Sequence, residues 1–187
     1  QCTCRVGKWL LLFGAICLLV AGTMTIYFAE RISIEPNIIA ANYKTFYLSE
    51  KGRLYAWGDN SCGELGDGTT GERYRPVQVL NRVVQISAGY NHTVAIRNDN
   101  TLWGWGQTSM GQLGDVGDTL QLKPLKLEDS VISTSAGASY TMIIDTDWQL
   151  RLTGDNEVGQ LGIGSTKSIY KFQKIMGNVR KAFGGPA

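Results

Sequence analysis

His92 is the only histidine among 187 residues. A nucleophilic device would have to be built on it, with Ser87, Ser139 or Cys62 as the attacking group, because the nucleophile needs a base within hydrogen-bond reach. Its position argues for a structural role instead. Lys44, His92 and Tyr140 fall at equal intervals of forty-eight residues within a repeating frame, so folding already claims that place, and no catalytic residue is expected. One histidine and one cysteine beyond residue 30 also leave too few donors for a zinc site. Asp67-x-Thr69, Asn98-x-Asn100 and Asp145-x-Asp147 offer oxygens. They lack the spacing of a twelve-residue calcium loop and suit Asx turns. Gly104-x-Gly106 and Gly111-x-x-Gly114 miss both phosphate-loop spacings, so no metal and no cofactor are expected. Cys62 aligns with Met110 and Val158, which predicts an apolar packing position and an inert thiol. The sequon Asn91-His92-Thr93 reads as part of the repeat itself.

Binding chemistry is better represented. Tyr55/Trp57 and Trp103/Trp105 could stack sugars or bases, but the third unit holds Arg151 and Thr153 at those places. That interrupts a binding ladder and merely thins a packing layer, so packing between repeats is expected. Asn42-Tyr43, Tyr90-Asn91 and Ala138-Ser139 are equally spaced and chemically different. The segments 68–75, 116–123 and 164–171 are similar in length and unrelated in sequence. Variable loops on a repeated scaffold are where recognition resides, and aromatic side chains dominate interfaces. Tyr43, Tyr74, Tyr90 and Asn91 are therefore the candidate protein-binding residues.

The elements that must hold them repeat every forty-eight residues. LYAWGDNSCGELGDG from Leu54, LWGWGQTSMGQLGDV from Leu102 and LRLTGDNEVGQLGIG from Leu150 align without a gap. QISAGYNHTVAI from Gln85 matches STSAGASYTMII from Ser133, with a degenerate copy, IIAANYKTFYL, from Ile38. Thr93–Arg97 and Thr141–Asp145 are β-branched runs that predict strands. Glu50-Lys51-Gly52 and Asn98-Asp99-Asn100 predict turns. In the strand Leu102–Gly106, Leu102 and Gly104 share one face and Trp103 and Trp105 the other. Pro76–Leu80 predicts a further strand with the proline at its start, where a missing donor is tolerated. Four short strands in about fifty residues is the pattern of a β-propeller blade.

Leu54, Tyr55, Trp57, Gly58, Asn60, Gly63, Leu65 and Gly66, followed by Ser87, Ala88, Gly89, His92 and Thr93, resemble the repeat of the regulator of chromosome condensation family. The resemblance covers 38–187. It implies an all-β propeller of about seven blades, of which this chain supplies about three, an incomplete ring that reads as part of a longer protein. It leaves function open, because one fold serves many roles. The leading expectation is a non-catalytic recognition or scaffold propeller. The alternatives are a secreted inhibitor that occludes another enzyme, and a regulator acting as a guanine nucleotide exchange factor.

Between Lys8 and Glu30 no residue is charged. Residues 9–28 would span about 30 Å as a helix, the thickness of bilayer hydrocarbon. Arg5 and Lys8 precede the run, which predicts a cytoplasmic N-terminus and extracytoplasmic repeats. The expected organisation is a cytoplasmic tail (1–8), a transmembrane signal-anchor helix (9–28), a linker (29–37) and the repeat domain (38–187). Cleavage after Gly22, releasing a secreted protein, is the competing reading. Cys2-x-Cys4 in the tail could carry a thioester lipid or remain as free thiols. A formal net charge of +2 gives no reason to expect nucleic acid, and no small-molecule substrate is indicated. The expected partner is a protein.

Overall fold

A computed structural model of the chain describes residues 16–20, 23–27 and 37–185. The chain divides into two compact units, Gln1–Ser33 and Ile34–Ala187. In the first, β1 (Ile16–Val20) and β2 (Thr23–Tyr27) pair antiparallel, Ile16 opposite Tyr27 and Val20 opposite Thr23. The uncharged run predicts one continuous helix over 9–28, and its described part is a hairpin instead. Among the described residues no helix is long and apolar enough to cross a membrane. An unbroken apolar run carries no periodicity that separates helix from strand, and the β-branched Val20, Thr23, Thr25 and Ile26 are stiff side chains suited to strand. The expected tail, most of the linker, and Cys2 and Cys4 lie outside the described residues.

The second unit contains three four-stranded antiparallel sheets. They are β3 (Asn37–Ala41) to β6 (Arg73–Leu80), with β4 Lys44–Leu48 and β5 Leu54–Gly58; β7 (Val83–Ala88) to β10 (Leu120–Glu128), with β8 His92–Arg97 and β9 Leu102–Gln107; and β11 (Val131–Ala136) to β14 (Ile169–Met176), with β12 Tyr140–Asp145 and β13 Leu150–Gly154. Each sheet keeps its strands in sequence order as an up-and-down meander, and each has the form of a propeller blade.

Alternation along the strands decides what the blades bury. Phe46, Leu48, Leu54 and Ala56 point from blade 1 into a cluster shared with Val83, Ile86 and Trp105 of blade 2. Leu102, Leu113 and Val94 of blade 2 meet Val131, Ala136 and Ile143 of blade 3. Trp103 packs with Trp105 on the first cluster while Leu102 faces the second, as the two-residue period predicts.

Polar groups join the blades in the same register. Val83 N donates to Gly52 O, Val131 N to Asn100 O and Val179 N to Trp148 O. Ser87 Oγ accepts from Ala136 N at 2.9 Å, and Ser135 Oγ accepts from Gly184 N at 2.7 Å. Pro76 does not begin a strand: β6 starts at Arg73, and Pro76 lies inside it. The register shifts there, between Ala56↔Val77 and Gly58↔Arg73, and β6 is the outermost strand, so the lost donor breaks no ladder.

Candidate recognition end of the blades

In every blade the connection between strands one and two and the connection between strands three and four emerge at the same end. A glycine with positive φ binds them together. Gly58, Gly106 and Gly154 have φ of 111°, 99° and 117°, and a Cβ there would lie 2.3–2.6 Å from Tyr43 O, Asn91 O and Ser139 O respectively. Only glycine allows strand three to pass so close to the first hairpin. The next residues then donate their amides to the same carbonyls, as Asp59 N to Tyr43 O and Asp155 N to Ser139 O.

The longer loop after strand three is organised by a buried amide. Asn60 Oδ1 accepts from Leu65 N (2.9 Å), and its Nδ2 donates to Thr69 O and Gly71 O. Asn156 repeats this with Leu161 N, Ser165 O and Lys167 O. In blade 2, Thr108 takes the position and its hydroxyl donates to Asp118 O. Asp67 closes an Asx turn on Thr69 N and pairs with Arg73. Burial alone would raise the Asp67 pKa, but the bonds from Thr69 and Arg73 outweigh it and hold the carboxyl below its ordinary value.

His92 is wholly buried. Its Nε2 lies 3.0 Å from Thr141 Oγ1 in blade 3, while Nδ1 has no partner among the described residues. Burial, with a smaller contribution from Lys44, lowers its pKa to about 3, so the ring stays neutral. Lys44 is buried as well and donates to Gly89 O (3.0 Å) and Tyr90 O of blade 2. Burial lowers its pKa against the opposing pull of Glu64 and Asp59. The two residues tie neighbouring blades together. Cys62 is half-exposed and free, and its counterparts Met110 and Val158 are exposed. The expected apolar packing site is therefore a surface turn, because the loop's buried contacts pass to Asn60 and Leu65 instead. Burial, then Glu64, raises the Cys62 pKa, which disfavours thiolate.

The aromatic pairs divide. Trp105 Nε1 and Thr93 Oγ1 both donate to Glu64 O of blade 1 at 2.8 Å, so this aromatic layer does join blades. In blade 3 the hydroxyl of Thr153 serves instead, donating to Gly111 O. Tyr55 departs from that role: it stacks on Tyr47, with ring centroids 6.1 Å apart.

A regulator of chromosome condensation (RCC1) repeat model matches residues 51–96 and 99–144, and a second model of the same description matches 83–112. The chain carries RCC1 repeats. The ultraviolet-B receptor UVR8 of Arabidopsis thaliana is 40% identical over 60 residues, 30% of this chain and 14% of that protein. The human regulator of chromosome condensation is 36% identical over 75 residues, 36% of this chain and 18% of that protein. In structure the chain is similar to Prp20p of Saccharomyces cerevisiae (TM-score 0.66, 20% identity), a protein with binding properties towards Gsp1p and histones, covering 80% of this chain and 41% of that one. It thus spans about two-fifths of that structure and under a fifth of these two relatives.

Of the four residues expected to bind protein, the RCC1 repeats bring two together. Tyr43, on the β3–β4 hairpin, and Tyr74, on β6, are 93% and 89% exposed and line one cleft of about 490 Å3 with Gly58, Asp59 and Glu72. Tyr90 borders a separate depression with Asn42, Gly89, Gly137 and Gly184. Asn91 is half-buried and spends its amide on Gln107 Oε1 at 3.0 Å. Sequence reasoning missed Asp59 and Glu72. Glu72 stands two residues before Tyr74, a spacing that shares a face in extended chain, but the sequence pattern predicts a strand only from Pro76.

Proposed function

We propose that the protein is a non-catalytic recognition propeller, displayed on the extracytoplasmic side of a membrane, that binds a protein partner through its blade-end loops. The observation that carries this is the contrast at that end. Asn60, Asn156, His92, Lys44 and Thr141 are consumed by bonds within and between blades, whereas Tyr43 and Tyr74 project into solvent. Large exposed aromatics on a rigid scaffold are the usual anchors of protein interfaces. Protein binding by the related Prp20p agrees with this reading. Membrane display rests on the uncharged run 9–28 and its basic N-terminal flank. In hydrocarbon a two-stranded hairpin would leave backbone groups unpaired, so insertion requires that run to become helical.

The test uses the full chain in native membranes. Alkaline extraction should leave it in the pellet, and protease added to the outside should digest 38–187. A pull-down should retain a partner that Tyr43→Asn or Tyr74→Ala releases. Recovery in the alkaline supernatant removes the tether, and a pull-down with no enriched partner removes recognition. The likeness to Prp20p favours a second reading, a regulator with a Gsp1p-like partner, which recovery of the full chain in nuclei would support.

A further inference from the structure

The cleft between Tyr43 and Tyr74 has a chemical character that its aromatic rings alone do not specify. Two carboxylates, Asp59 and Glu72, complete its wall. Glu72 Oε2 accepts from the Tyr74 hydroxyl, and Asp59 Oδ1 accepts from Ser61 N at 3.1 Å, so each carboxylate keeps acceptor capacity in reserve. Among the described residues no basic side chain lines the cleft. Arg73, next along the chain, is engaged by Asp67 and Thr69, and Lys44 is committed to Gly89 O and Tyr90 O in the neighbouring blade. Tyr43 itself is held at φ 60° in a turn where its neighbour Asn42 has φ 42°. The matched Asn91 and Ser139 do not share that left-handed backbone. A bulky residue there is strained, and a side chain 93% exposed gains no packing in return.

Two aromatic rings and two carboxylates around an open cleft attract a cation: the ring quadrupole and the carboxylate charge act with the same sign. We infer that the Tyr43–Tyr74 cleft takes the cationic side chain of a lysine or arginine presented by a protein partner. This rests on the recognition reading above and names the partner's chemistry at that site.

The experiment titrates the full chain with three synthetic Gly/Ser peptides of equal length, each carrying three arginines, three norleucines or three glutamates. The arginine peptide, and a lysine version of it, should bind. The affinity should fall as salt is raised and by about two- to fivefold in each of Tyr43→Asn, Tyr74→Ala and Glu72→Gln. Tyr74→Phe keeps the ring and frees Glu72, and should retain binding, as should Tyr90→Ala and Asn91→Ala. Resonance shifts in the wild-type chain should map to Tyr43, Glu72 and Tyr74, a readout that requires no variant to fold. Equal binding of the norleucine or glutamate peptide, shifts elsewhere, or full affinity in the three cleft variants overturns the proposal. If no peptide binds while the pull-down still retains a partner, the cation site is overturned and recognition stands. If neither gives binding, both fall.

Discussion

The hydroxyl of Thr141 has one proton, and it is directed to Gln112 O at 2.7 Å. His92 must therefore present N–H at Nε2 to that oxygen, which leaves Nδ1 as a buried lone pair with no partner among the described residues. A neutral ring is the only form that suits this position, and the pKa of about 3 follows mainly from burial. The unfolded chain takes up a proton near pH 6.5 and the folded chain does not. Stability is thus fully present above about pH 6.5 and lost as pH falls from there towards 3. At pH 5 the loss should be about 2 kcal/mol relative to pH 7, measured by urea melts. His92→Gln keeps a donor for Thr141 but should show little of this slope. Trp105→Phe removes one of the two donors to Glu64 O. It should cost about 2 kcal/mol in the same melts: Thr93 still satisfies the carbonyl, but the smaller ring leaves a cavity where Trp105 is wholly buried.

At the scale of the element, matched glycines report what covers each blade. A Cβ on Gly66 would lie 2.7 Å from the Trp105 indole, while one on Gly162, its counterpart two repeats later, would meet nothing within 4 Å. Both residues have positive φ, 79° and 67°, so alanine at either pays about 1–2 kcal/mol of backbone strain. Gly66→Ala should lose a further 1–3 kcal/mol through overpacking against a buried ring. The difference between the two variants in denaturant melts isolates the contact between blades from the strain of the turn. Equal losses would mean that Trp105 moves aside freely. The runs Thr93–Arg97, Thr141–Asp145 and Leu102–Gly106 are strands as their composition predicts. The outer strands β6, β10 and β14 carry register shifts and, apart from Leu80, no fully buried residue, and edge strands of that kind leave little alternation to read.

In the repeat unit as a whole, stability passes from blade to blade through contacts between neighbours. Blade 2 is covered on both faces, by the Phe46–Trp105 cluster on one side and the Leu102–Val131 cluster on the other. Blade 3 presents Val158 at 86% exposure, with open space above Gly159, Gly162 and Gly164. Backbone amides of β8 and β9 should therefore exchange with solvent more slowly than those of β12 and β13, in spite of equivalent hydrogen-bond ladders. Hydrogen exchange followed by mass spectrometry checks this, and uniform protection across the blades would show a single cooperative unit.

The forty-eight-residue register, the strand content and the buried role of His92 are all readable from spacing, because a repeated backbone demands the same glycines, turns and apolar contacts in each repeat. The aromatic layer was readable only in part: Trp105 joins blades, but Tyr55 stacks within its own. What spacing could not supply is distance between residues in different connections. Tyr43 and Tyr74 are thirty-one positions apart in sequence and share a cleft only because the first hairpin and the start of the outer strand meet at Gly58. Asp59 and Glu72 acquire meaning in that setting alone. Periodicity fixes which residues serve the frame, and the folded chain decides which of the remainder become neighbours.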